Sequence, residues 1–202
     1  MAIDFHLFNP ASICFELDRQ VHVLKHFFKV DRGYLKKITL EGNYSASEIK
    51  DQLAGAGSKF YPEFVKNPLE LINKLELKDQ FIVIHEEQDP ELLVFQLEFR
   101  KRSFPNGIGT DDVFFCDEVK DRIEIHYEEM NGISIQVVKG TPKPTWEMNL
   151  ILHKSEEGIS VITIFPGLYA PPFPNSEEQT RKQYAVCKKF WDEHGFIIPE
   201  NP

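Results

Sequence analysis

The residues of this chain best suited to chemistry are two histidines, an arginine and a threonine: His126, His153, Arg100 and Thr163. A histidine can take the proton from an attacking 2′-hydroxyl, a second acid can protonate the leaving oxygen, and an arginine can stabilise the charge that builds on phosphorus. These are the residue types that metal-independent phosphodiester cleavage requires. A basic run, Arg100-Lys101-Arg102, leads into Ser103-Phe104-Pro105-Asn106-Gly107-Ile108-Gly109-Thr110. Read functionally, Arg102, Gly107, Gly109 and Thr110 form a phosphate-binding loop, with glycines admitting close backbone approach and threonine offering a hydroxyl. Read structurally, the glycines form a tight connection and the basic residues neutralise neighbouring acids.

Strands must position these side chains. Trp146 to Pro174 reads as a β-hairpin: two apolar runs flank Ser155-Glu156-Glu157-Gly158, and the second stops at Phe165-Pro166-Gly167, where proline ends ladder pairing. A register with Ile151 opposite Val161, Asn149 opposite Thr163 and His153 opposite Ile159 makes a clean apolar face of Met148, Leu150, Leu152, Ile162 and Ile164. Elsewhere Leu93, Phe95, Leu97 and Phe99 alternate with Val94, Gln96, Glu98 and Arg100, and Ile123, Ile125 and Tyr127 alternate with Glu124 and His126. A three-residue loop at Met130-Asn131-Gly132 would pair Tyr127 with Ile135 and Ile125 with Val137. The polar face of such a sheet collects Glu147, Asn149, His153 and Thr163 with Gln96, Glu98, Arg100, Glu124, His126 and Gln136.

Helices frame the strands. Leu17, Val21, Leu24 and Phe28 share one face of a helix over residues 16–29, where His22 and His26 stand one turn apart without a third metal ligand. Tyr34 to Leu40 reads as a short strand. Ser45 to Glu48 is a capping box, and Asn67-Pro68 starts a helix with Leu69, Ile72 and Leu75 or Leu77 inward. A C-terminal helix capped by Asn175 and Glu178 carries Tyr184, Cys187, Phe190 and Trp191 on one stripe and stops at His194-Gly195. The expected architecture is a single α+β domain: 1–78 mostly helical, and 79–202 a mainly antiparallel sheet of about five to six strands plus a C-terminal helix.

Composition sets further bounds. The 202 residues are 42% hydrophobic, enough for one ordinary core, and the net charge of −9 opposes non-specific attraction to polyanions. No apolar run approaches the roughly 20 residues of a membrane span, and the start lacks a signal-peptide pattern, so no membrane partner and a cytoplasmic location are expected. Cys14, Cys116 and Cys187 show no paired spacing and read as small buried hydrophobes; no zinc site and no cofactor motif is present. The 17 phenylalanines belong to the core more readily than to a small-molecule pocket.

The run Thr163-Ile164-Phe165-Pro166-Gly167, after a strand ending in His153-Lys154, resembles the closing strands of the barnase, EndoU, colicin and RelE-like ribonuclease toxin superfamily. The resemblance spans residues 92 to 167 in element order. It implies an RNA endonuclease whose exposed sheet face binds RNA, with Thr163 the only residue carried over by motif. The acidic balance favours a second reading: a non-catalytic immunity- or adaptor-type protein that docks a basic protein through its acidic surface and the aromatic exit Phe165, Tyr169 and Phe173.

Overall fold

The computed structural model describes residues 12–55, 57–75, 80–85, 91–119, 125–130 and 133–199. The first eleven residues, Leu77, Ile123, Glu124 and Asn131-Gly132 lie outside these, so the expectations placed on them are not addressed by it.

The N-terminal part is helical: α1 (Leu17–Val23), α2 (Arg32–Gly42), α3 (Ala46–Leu53) and α4 (Pro68–Lys74). Among the described residues the short strand β1 (Ile13–Cys14) precedes them. The expected helix over residues 16–29 ends early, because the chain tightens into a 3₁₀ turn at Leu24–His26. The tightening shifts the phase, burying Phe27 and leaving Phe28 52% exposed. The segment read as a strand at Tyr34 to Leu40 is α2. Asp31 caps it by accepting from Tyr34 N, and Tyr34 and Ile38 are buried one helical turn apart, a period of four that outweighs the local β-propensity. The Ser45–Glu48 capping box is complete in both directions. Asn67 caps α4; Leu75 is buried and Ile72 packs partly buried on the core as expected, Leu71 is buried as well, and Leu69 faces solvent instead.

The remaining strands are β2 (Gln80–His85), β3 (Leu92–Phe99), β4 (Gly109–Asp111), β5 (Val113–Phe115), β6 (Ile125–Met130), β7 (Ile133–Gly140), β8 (Lys143–Thr145), β9 (Glu147–Ser155), β10 (Gly158–Pro166) and β11 (His194–Pro199). The short helix α5 (Cys116–Val119) follows β5, and α6 (Arg181–Glu193) precedes β11. The class is α+β with extensive antiparallel pairing. The strands are divided between a five-stranded sheet, β1-β10-β9-β3-β2, a four-stranded sheet, β5-β11-β7-β6, and the ribbon β4-β8.

The first sheet carries the main core. Phe95, Leu97, Phe99, Met148, Leu150, Leu152, Val161 and Ile164 on one face meet Val21, Leu24, Ile38, Ile49 and Leu71 of the helices. Edge-to-face rings join it, with Phe64 5.1 Å from Phe99 and 5.2 Å from Phe104. The hairpin register differs from the one expected. Ser155 pairs with Gly158, which puts Val161 opposite Leu152; a bulge between Val161 and Thr163 then puts Thr163 opposite Ile151 and Ile164 opposite Leu150. One extra residue on β10 restores the phase, so Val161 and Ile164 are both buried and Ile162 is displaced from the core face. The β6–β7 register differs from the expected one, with Met130 opposite Ile133, Tyr127 opposite Gln136 and Ile125 opposite Val138. Val137 and Val138 are both buried, so β7, an inner strand of its sheet, is enclosed on both faces at this point.

The expected C-terminal helix begins later, at Thr180, whose hydroxyl accepts from Gln183 N while the Gln183 side chain accepts from Thr180 N. Asn175 instead closes a preceding turn. Beyond the expected stop at His194-Gly195 the chain continues as β11, parallel to β7 and antiparallel to β5. Cys116 and Cys187 are buried, but Cys14 is exposed.

Candidate functional site

Arg100 and His153 belong to opposite ends of one ladder. His153 pairs with Leu92, and Arg100 lies eight residues beyond Leu92, at about 3.3 Å per residue a separation of about 26 Å. His153 is partly exposed, and its Nε2 lies 3.3 Å from a Glu91 carboxylate oxygen. Thr163 sits between, opposite Ile151. His126 is on β6, opposite Val137, in the other sheet. The fold does not gather Arg100, His153 and Thr163 within reach of one phosphate, and the backbone places His126 on a separate strand system. The second face of the first sheet is also not an open polar floor: Asn149 is fully buried, its amide donating to the Gly167 carbonyl at 2.7 Å.

The basic loop is built as a tight connection. Gly107 has a φ of +89° and a Cβ there would meet the Thr145 carbonyl oxygen at 2.7 Å; a Cβ on Gly109 would meet the Lys59 carbonyl oxygen at 2.5 Å. Thr110 is buried, its hydroxyl accepting from Lys59 N and its own N–H donating to the Lys59 carbonyl. Gly107, Gly109 and Thr110 thus pack against the protein's own chain, as in the reading of this segment as a tight connection. Arg102 stays exposed on the preceding turn. His26, one of the two histidines considered for a metal, is half-buried, and its Nδ1–H donates to the Ser58 carbonyl at 3.0 Å. Burial pulls its pKa down to about 3, so it is a neutral packing residue. Among the described residues no group of three or more His, Cys, Asp or Glu could hold a metal.

The aromatic exit is largely consumed as well. Phe173 packs on Trp191, ring centroids 4.5 Å apart, and Phe165 lies 5.6 Å from the His26 ring. The residues that do converge on a concavity are others.

Glu98 at the end of β3 and Glu147 at the start of β9 are directly opposite each other. Like charges in that relation destabilise a sheet. They line a cavity of about 350 Å³ with Asp111, Trp146, Lys101 and Phe115. Asp111 is held rigidly, one oxygen accepting from Val113 N at 3.0 Å and the other from Leu168 N at 2.9 Å. Burial raises its pKa against those bonds. Glu147 accepts from the Gln96 amide at 2.7 Å; burial, followed by the negative charges of Asp111 and Glu98, raises its pKa too. The Trp146 indole donates to the Phe104 carbonyl at 2.6 Å, which fixes the ring, and the Lys101 ammonium sits over it at 4.7 Å. This corner can seat a cation between carboxylates and an indole face.

Sequence reasoning assigned Glu98 and Glu147 to the polar face but not to a pair, because their opposition follows from the β3–β9 register. Trp146 was seen only as the start of the hairpin. Its position beside the Phe104 carbonyl depends on a contact across 42 residues. No protein-family model, no curated protein and no solved structure matches this chain. Among the described residues no helix is long and apolar enough to cross a membrane.

Proposed function

We propose that this protein is a non-catalytic, acidic adaptor-type protein that docks a basic protein partner at the cavity beside Trp146. The observation that carries this reading is the Lys101 ammonium over the Trp146 ring, in a cavity walled by the opposed carboxylates of Glu98 and Glu147. The protein's own lysine on that ring supports the reading, as an example of a cationic side chain held against this indole. The net charge of −9 supports it by drawing in basic partners and repelling polyanions. The ribonuclease reading requires His153, Arg100 and Thr163 around one phosphate, and their spacing along the first sheet speaks against it.

The test is calorimetric titration with an arginine octapeptide and its all-glutamine counterpart at low and high salt. The arginine peptide is expected to bind with salt-sensitive affinity, and the Glu98→Gln/Glu147→Gln double variant to weaken it at least fivefold. Equal binding of both peptides, or an unaffected double variant, would overturn the reading. In parallel, RNA incubated with the protein in EDTA is expected to remain intact; cleavage abolished by His153→Ala would reinstate the nuclease.

A further inference from the structure

A second concavity, of about 510 Å³, adjoins the acidic one and shares Trp146 and Pro144 with it. Its walls are Tyr61, Pro105, Asn106, Pro144 and Trp146, with the exposed Glu63 at its rim. Flat rings and prolines dominate, and they are fixed before any ligand arrives. Tyr61 is stacked on Phe28 with an interplanar angle of 9°, and Trp146 is held by Phe104 and capped by Lys101. A groove already rigid loses little conformational freedom on binding. Backbone groups around it are engaged: Tyr61 N–H donates to Ile108, Ile108 N–H to Thr145, and Gly107 N–H to Phe104. Those donors are not available to an added β-strand. A polyproline II segment needs no ladder and packs its rings on aromatic faces.

We infer that this groove receives a proline-containing, polyproline II segment of the partner, whose flanking lysine or arginine enters the acidic cavity. The inference rests on the proposed docking function and specifies its ligand. Charge complementarity sets the composition: the two adjoining cavities present the carboxylates of Glu63, Glu98, Asp111 and Glu147 against the ammonium groups of Lys101 and Lys143. Prolines alone would leave that excess unanswered. A basic segment without prolines would leave the Tyr61–Pro105–Trp146 walls unfilled.

The experiment is selection of a displayed random dodecapeptide library on the full chain, followed by titration of enriched synthetic peptides. Binding is read by nitrogen-15 NMR of the indole N–H groups. Enriched sequences are expected to combine spaced prolines with a lysine or arginine, and to shift the Trp146 indole signal while leaving that of the buried Trp191 in place. Tyr61→Ala is expected to weaken them at least tenfold and Tyr61→Phe less than threefold, with the amide spectrum reporting that both variants remain folded. Basic peptides enriched without prolines and indifferent to Tyr61→Ala would overturn the groove inference while leaving the acidic-cavity reading standing. Proline peptides enriched without a basic residue would overturn the acidic-cavity reading and the combined ligand. No enrichment would overturn both.

Discussion

Asp112 and His26 are half-buried groups whose titrations oppose one another. Burial raises the Asp112 carboxyl to about 6 and lowers the His26 imidazole to about 3. For Asp112 the folded pKa lies above the unfolded carboxyl value of about 3.9, so its contribution favours the fold at low pH and is lost as pH rises toward 6. For His26 the folded pKa lies below the unfolded value of about 6.5, so stability is full above that and lost as pH falls toward 3. Between about pH 4 and 6 the two slopes offset each other. Asp112→Asn is therefore expected to raise stability at pH 7 by about 1–3 kcal/mol, to add little at pH 4, and to make stability fall more steeply on acidification than in the parent. Urea midpoints at pH 7, 6, 5 and 4 measure all three.

At the scale of elements, the ribbon of β4 and β8 owes its place to Gly109, where the chain passes directly over the backbone of Lys59 and Phe60. Gly109→Ala is expected to cost about 2–4 kcal/mol, because the atom in the way is a carbonyl oxygen with no freedom to move. Gly140→Ala in β7 is the control: its nearest neighbour would be a side-chain methyl of Ile197 at 3.8 Å, and the change is expected to stay within about 0.5 kcal/mol. Thermal melts of the two variants make the comparison. Helix caps were legible locally, as at Ser45 and Asn67, because every partner lies within four residues. The hairpin register was not: the tight pairing of Ser155 with Gly158 already moves it by one residue at the turn, and the bulge before Thr163 moves it by one more.

For the whole molecule, Asp111 is the joint. Its two oxygens bind the start of β5 and the chain leaving β10, so one side chain ties the four-stranded sheet to the five-stranded one. Gly167, φ +100°, fits there because a Cβ would meet an Asp111 oxygen at 2.7 Å. Asp111→Ala leaves two backbone donors unpaired and is expected to lower stability by about 2–3 kcal/mol, with Asp111→Asn costing less because an amide oxygen still accepts one bond. Calorimetric melting of both variants checks the order. The same joint closes one wall of the acidic cavity, so Asp111→Ala is also expected to weaken arginine-peptide binding.

The sequence by itself determined the α+β class, the inward set Phe95, Leu97 and Phe99, two helix caps, and the end of the hairpin at Pro166; each depends on periodicity or on contacts a few residues long. Only the tertiary structure decided that Tyr34 to Leu40 is helical, that residues after His194 form a strand, and that Arg100 and His153 stand at opposite ends of a ladder. It also decided that Glu98, Glu147 and Trp146 share a cavity. These are facts of register and of which sheet a strand joins. A one-residue bulge or a parallel pairing changes them without leaving a mark on the local pattern.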